Sequence, residues 1–205
     1  MLDNKTMFIA VEGPVGVGKS TVAKGLAACR KSEVLLESFD SNPFLAAFYE
    51  DPTANAIETE FTFLCLHFHQ LKIRVKAVSR GELITDFHLG KDLLYAELNL
   101  KDPKMLRVFR LLYGLLTEQV PEPTLLVCLS ASTDLLIERI RKRNRGFELR
   151  VDTAYYAKLN ATYEKFFEQH PGRKLRISMD EWDFVETPDL YRKLSRLIDK
   201  QMKVR

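Results

Sequence analysis

The stretch "MFIAVEGPVGVGKSTVAKGLA", residues 7–27, decides how the rest of the chain is read. An apolar run, "MFIAVE", stops at a cluster of glycine and proline, and a helix-forming run, "STVAKGLAACR", begins directly after it. The first run has the length and composition of a buried strand. Between the two, Gly13, Gly16, Gly18, Lys19 and Ser20 match G-x-x-x-x-G-K-[ST], a loop that cradles phosphates. Its glycines allow backbone angles that a side chain forbids, so successive N–H groups can turn toward an anion at the positive end of the following helix. Gly13, Pro14, Val15, Gly16, Val17, Gly18, Lys19, Ser20 and Thr21 are therefore the expected ATP-binding segment. Lys19 brings a mobile charge to the outer phosphates, and the Ser20 hydroxyl is placed to ligate Mg²⁺.

The 205 residues suffice for one sizeable α/β domain and are short for two, so a single domain over 1–205 is expected. Hydrophobic residues at 46% and charged residues at 29% are ordinary for a soluble globular chain. The start "MLDNKTMFIA" has no basic leader before a long apolar stretch, and no run of about 18 apolar residues occurs. Neither a signal peptide nor a membrane span is expected, which points to the cytoplasm. Cys29, Cys65 and Cys128 are scattered, odd in number and set in apolar segments, so they read as reduced core residues. A net charge of +3 is too mild to argue for nucleic acid as a partner.

Short β-rich runs alternate with longer helical patterns, the signature of a parallel sheet covered by helices. The expected strands are residues 7–12, 33–37, 82–86, 124–130 and 174–179, giving a three-layer P-loop NTPase fold around a five-stranded parallel sheet. Residues 54–79 are apolar at helical spacing and lack Gly and Pro, so they predict one long helix. "DLYRKLSRLIDKQM" reads as a closing helix. Ligands of open α/β sheets bind beyond the carboxyl ends of the strands. That rule selects Glu37, Asp86 and the segments after residues 130 and 179.

Glu37, at the end of the second expected strand, is a candidate base: phosphoryl transfer to a hydroxyl gains from a carboxylate that orients the O–H and accepts its proton. Asp86, at the end of the third, is the second candidate metal ligand beside Ser20. In "ERIRKRNRGFE" Arg139 and Arg143 share a helix face, and Arg145 follows where the helix should fray. These arginines read as a flap over the triphosphate, a lid at about 143–150, in preference to a solvated surface or a nucleic-acid patch. His67 and His69, two apart on a helix, point to different faces and read as ordinary core or surface histidines.

With these pieces assembled, the chain resembles the deoxynucleoside kinase family from the phosphate loop to about residue 184. The family's strand-end Glu, short helix and Tyr are similar to Glu37, "NPFLAAFYEDP" and Tyr49. Its arginine series ending in an acid is similar to Arg139, Arg143, Arg145 and Glu148. The resemblance implies that Glu37 is the base for the sugar 5′-hydroxyl and that Tyr49 and Glu148 meet the 3′-hydroxyl. It also implies transfer of the γ-phosphoryl group of ATP to a deoxynucleoside, with Mg²⁺, in a homodimer. "MDEWDF" resembles the loop that contacts the ATP base.

Two departures bear on substrate. Where many members have an acid followed by Arg-Ser, this chain has Asp86-Phe87-His88, and Lys91, if helical with Phe87, could return the missing charge. Glu60 stands where members carry a base-reading Gln, while the other base-reading position, Asp92, is kept. An ionised Glu60 offers acceptors only. That suits the adjacent donors of guanine and opposes thymine O4, so a purine is favoured, deoxyguanosine first, with deoxyadenosine and deoxycytidine admitted if Glu60 is protonated or turned toward Asp92, since two nearby carboxylates can raise one another's pKa. The competing functions are a nucleoside monophosphate kinase, for which "ESFDSNPF" supplies no cation, and a nucleotide-switched regulatory ATPase, against which the arginine series counts.

Overall fold

In the computed structural model, which describes residues 6–77, 81–146, 148–150 and 152–203, five strands form one sheet. They are β1 (Thr6–Glu12), β2 (Glu33–Leu35), β3 (Gly81–Thr85), β4 (Leu125–Ser130) and β5 (Lys174–Ser178), in the order β2-β3-β1-β4-β5 with every pairing parallel. The chain leaves β1 to one side for β2 and β3, then crosses to the other side for β4 and β5. That reversal opens a crevice at the carboxyl ends of the central strands.

The central strands β1 and β4 are apolar on both faces because both are covered. Phe8 and Ala10 of β1, with Leu126 and Cys128 of β4, join one core. Ile9 and Val11, with Leu125, Val127 and Leu129, join the other. On the second face lie α1 (Lys19–Arg30) and α8 (Asp189–Lys203), supplying Val22, Leu26, Leu194 and Ile198. The first face is covered by α3 (Pro52–Ala77), α4 (Gly90–Asn99), α5 (Pro103–Thr117) and α7 (Thr153–Gln169). The short α2 (Leu45–Glu50) and α6 (Thr133–Arg143) flank the crevice, and α6 sends Leu136 and Ile140 into different cores.

Local chemistry sets the helix ends. Asp102 accepts the Lys104 N–H at 2.8 Å and Pro103 opens α5, while Asn144 takes a left-handed φ of 55° that stops α6 and turns Arg145 off its axis. Among the described residues no helix is long and apolar enough to cross a membrane.

The element boundaries correct the sequence expectation in one consequential place. Strand β2 stops at Leu35, paired with Thr85, so Glu37 is not a strand-end residue. Its N–H goes instead to Asp86 Oδ1 at 2.6 Å, and a side-chain acceptor in place of a neighbouring strand ends the ladder. Asp86 likewise lies one residue past β3. The long helix begins at Pro52, two residues before the expected start, and residues 78 and 79 of that expectation lie outside the described residues. All three cysteines are free, but only Cys128 is a core residue; Cys29 and Cys65 fall on the outward faces of α1 and α3 and are exposed.

Candidate active site

The phosphate loop closes on itself through its lysine. Gly16 and Gly18 adopt φ of 85° and 103°, values a side chain resists, and Gly18 caps α1. A Cβ on Gly13 would fall 2.5 Å from the Leu129 carbonyl oxygen, so that turn requires glycine for space. Lys19 Nζ donates to the Gly13 and Pro14 carbonyls at 2.7 and 3.3 Å. Burial, aided by Lys91, lowers the Lys19 pKa against the opposing pull of Glu12, Glu37 and Asp86. Val15, Gly16, Gly18, Lys19, Ser20 and Thr21 face the crevice, while Val17 turns fully into the core.

Beneath the loop sits Glu12, a buried carboxylate that sequence reasoning passed over. Its Oε1 accepts the Gly13 N–H at 2.8 Å and the Tyr163 hydroxyl at 3.2 Å, and its Oε2 accepts the His88 N–H at 2.8 Å. It ties the first turn of the loop to the segment after β3. The available signal was an acid ending an otherwise apolar strand, immediately before the glycines.

The crevice is a cavity of about 880 Å³ that gathers nearly all the side chains singled out from the sequence. At its phosphate-loop end, Ser20 Oγ donates to Asp86 Oδ2 at 2.5 Å. Next to this pair, Glu37 Oε1 accepts from Lys91 Nζ at 2.7 Å and lies 3.1 Å from His67 Nε2. Burial opposes the Glu37 charge, but Lys91, His67 and Lys19 outweigh it and hold the carboxyl well below the usual range. Glu37 is thus an ionised acceptor at neutral pH. Gln70, one turn beyond His67 on α3, donates to the Leu36 carbonyl at 3.2 Å and the Ser38 hydroxyl at 2.8 Å, pinning the segment that carries Glu37.

Two expectations change here. Lys91 does bring a cation into the cavity, but not across a helix face shared with Phe87. Helix α4 begins only at Gly90, Phe87 is buried against the His67 ring at 4.9 Å, and the lysine is spent on Glu37. His67 is not an ordinary core histidine. It bridges Glu37 and Asp92, with Nδ1 2.7 Å from Asp92 Oδ1, while His69 faces solvent as expected. Burial disfavours its charge, yet the two carboxylates raise its pKa to about 9. The seven-residue spacing of Glu60 and His67 puts them on one helix face, a signal that comparing only His67 with His69 missed.

At the far end, Glu60 Oε1 accepts from Asn99 Nδ2 at 2.7 Å, and Asn99 Oδ1 lies 3.4 Å from the Tyr155 hydroxyl. Burial is the main cause that pushes Glu60 up to about 8; Asp92 adds to it, and Asn99, Lys91 and His67 oppose it. Of the two protonation states open from the sequence, burial favours the neutral acid at neutral pH over the ionised form that singled out guanine. Asp92 Oδ2 is buried with no partner among the described residues. Tyr49 lines the same wall, its phenol held well above the ordinary value by burial.

Across the mouth, Arg139 Nη1 donates to the Val17 carbonyl at 3.0 Å. Arg143 and Arg145 meet the buried Glu148 at 2.5 and 3.5 Å, and the Arg145 guanidinium lies over the Phe39 ring at 3.9 Å. Asp183 and Phe184 of "MDEWDF" also line the cavity.

A phosphate loop, a buried carboxylate facing it and an arginine series thus share one cavity. The family model for deoxynucleoside kinase matches residues 9–203. The chain belongs to the deoxynucleoside kinase family. It is 34% identical to a deoxyguanosine kinase of Bacillus subtilis, over 89% of this chain and 91% of that one. It is 28% identical to a deoxyadenosine kinase of Lactobacillus acidophilus, over 95% and 96%. A deoxyadenosine kinase from M. mycoides, solved with dCMP and dCDP, has the same fold, with a TM-score of 0.82 at 24% identity over 95% of this chain and all of that one. The likeness of this deoxynucleoside kinase to its family extends past residue 184, where the sequence motifs end, because α8 packs on α1 and completes the second core.

Proposed function

We propose that this kinase transfers the γ-phosphoryl group of ATP to the 5′-hydroxyl of a deoxynucleoside, with purines favoured. The carrying observation is Glu37, ionised and held by Lys91 and His67 in the cavity that the phosphate loop opens into. Glu37 accepts the proton of the 5′-hydroxyl while that oxygen bonds to the γ-phosphorus and the bond to the ADP oxygen breaks. Lys19 meets the outer phosphates. Arg139, Arg143 and Arg145 exchange their present partners for the transferring group, forming the lid at about 143–150, and Tyr49 and Glu148 take the sugar 3′-hydroxyl. The Ser20 hydroxyl and Asp86 carboxylate are hard oxygen donors that suit Mg²⁺, and they already touch one another. When bound, the ion neutralises charge on the β- and γ-phosphates.

The purine preference rests on the relatives, named for deoxyguanosine and deoxyadenosine. At the base end, a neutral Glu60 takes the Asn99 amide on one oxygen and donates from the other, while Asp92 Oδ2 accepts. Guanine O6 beside N1–H fits that pair, and so does adenine N1 beside the N6 amine. The neutral acid also removes the clash with thymine O4 that an ionised Glu60 would create, so this residue excludes thymidine only well above neutral pH. A monophosphate substrate would need a spare cation beside Glu37, where Lys91 is already committed.

We place the reaction in the cytoplasm, in one domain spanning 1–205. A homodimer is supported by an exposed apolar stripe on α5, Val108, Leu111 and Leu115. The test is a panel of the four deoxynucleosides and their monophosphates with Mg-ATP. Specificity constants should be highest for deoxyguanosine or deoxyadenosine. Preference for a monophosphate, or no transfer to any nucleoside, overturns the reading.

A further inference from the structure

His67 touches a carboxylate at each end of the proposed nucleoside site, Asp92 and Glu37. Its ring is 1% exposed and lies between Phe63, stacked at 5.3 Å, and Phe87, at 4.9 Å, a slot that fixes the ring plane. Within that plane each nitrogen faces a carboxylate, Asp92 Oδ1 at 2.7 Å and Glu37 Oε1 at 3.1 Å. Only the imidazolium donates to both, since a neutral ring would turn a lone pair toward one of the two anions. The elevated pKa agrees with that protonation. Both carboxylates present their remaining oxygens elsewhere: Asp92 Oδ2 is buried without a partner among the described residues, and the Glu37 side chain reaches the cavity.

We propose that His67 is a positioning residue that couples base recognition at Asp92 to the orientation of the Glu37 carboxylate that serves the 5′-hydroxyl. Asp92 cannot rotate toward or away from a base without moving the oxygen that His67 holds, and the clamped ring can follow only by shifting against Glu37. A base that engages Asp92 Oδ2 draws its carboxylate into one orientation, and through the ring Glu37 is held in one rotamer. A base that does not engage it leaves Asp92 Oδ2 unheld, the ring then fixes Glu37 less firmly, and Lys91 is the stronger of its remaining ties. Misplacement of a reacting group by about 1 Å costs roughly 10²-fold in rate. The base therefore influences kcat as well as KM, although it lies at the far end of the nucleoside from the chemistry.

This inference rests on the deoxynucleoside kinase reading, and its test separates the two. Wild type, His67→Gln and Asp92→Asn are assayed with Mg-ATP and two acceptors: the best natural deoxynucleoside, and its analogue lacking the exocyclic base substituents. Glutamine can donate to only one of the two carboxylates, and it keeps a polar group in the slot, so the variant is expected to fold. For wild type, kcat should fall at least about 10-fold from the natural substrate to the analogue. For His67→Gln, kcat on the natural substrate should fall by about 10–10²-fold, and the kcat ratio between the two acceptors should collapse toward one while a KM difference remains. Asp92→Asn should collapse the same ratio, and the double variant should be little worse than either single one. A purely structural His67 would lower both kcat values equally and leave the ratio intact, which overturns the proposal but not the kinase reading. Should His67→Gln not fold, His67→Asn, which also keeps a polar group in the slot, takes its place in the same comparison, and an intact kcat ratio overturns the proposal. Absence of transfer by wild type overturns both.

Discussion

Glu60→Gln should stabilise the protein by an amount that grows with pH. Glu60 is 3% exposed on α3, and its Oε1 takes the Asn99 amide. Burial, with Asp92 adding to it and Asn99, Lys91 and His67 opposing, moves its pKa from the ordinary 4.5 to about 8. A carboxyl whose pKa is raised on folding contributes stability that is fully present below about pH 4.5. That stability is lost as pH rises to about 8, and the loss then levels off. One unit corresponds to about 1.36 kcal/mol, so wild type should lose roughly 2–3 kcal/mol between pH 6 and 8 from this residue alone. Glutamine cannot ionise and still offers Asn99 an acceptor, and the other titrating groups largely cancel in the difference between the two proteins. Urea denaturation at pH 6, 7, 8 and 9 should show the variant's advantage rising to pH 8 and then holding. At roughly 2–4 °C per kcal/mol for a chain of this size, Tm should diverge by about 5–10 °C over the same range. A difference that stays flat with pH, or one that favours wild type as pH rises, would falsify the neutral Glu60.

Glu37→Gln should lower turnover by about 10²-fold or more with substrate binding largely kept, because the amide cannot take the hydroxyl proton; an unchanged kcat with a raised KM would make Glu37 a binding residue instead. Lys19→Ala should abolish transfer while the circular dichroism and thermal transition stay near wild type, since its present bonds are to loop carbonyls that solvent can serve; near-full turnover sinks the phosphate-loop assignment. Leu111 and Leu115 are 64% and 62% exposed, and replacing both with Lys should convert a dimer to a monomer by sedimentation. A wild-type protein that sediments as a monomer removes the proposed interface.

Local rules governed what could be read from the chain itself. The phosphate loop was legible because its function depends on backbone angles, and glycine at Gly16 and Gly18 advertises them directly. The parallel sheet was legible because strands covered on both faces read as nearly continuous apolar runs, as in "MFIAVE" and "TLLVCLS". Glu37 and Asp86 followed from the rule that ligands gather beyond the carboxyl ends of strands, and the arginines from their spacing in "ERIRKRNRGFE". Tertiary packing decided the ionisation and partners of those groups. Asp86 and Glu37 come from segments 49 residues apart, and their hydrogen bond ends β2 early. The Lys91 ammonium reaches Glu37 because α4 starts at Gly90, three residues later than a helix shared with Phe87 would. Glu60 is neutral because burial outweighs the Asn99 amide that favours its charge, and His67 is charged because two carboxylates outweigh its burial. A sequence fixes which side chains are available and which face of an element carries them. The electrostatic free energy that sets a buried proton depends on dielectric surroundings and on charges from distant segments, and those exist only once the chain has packed.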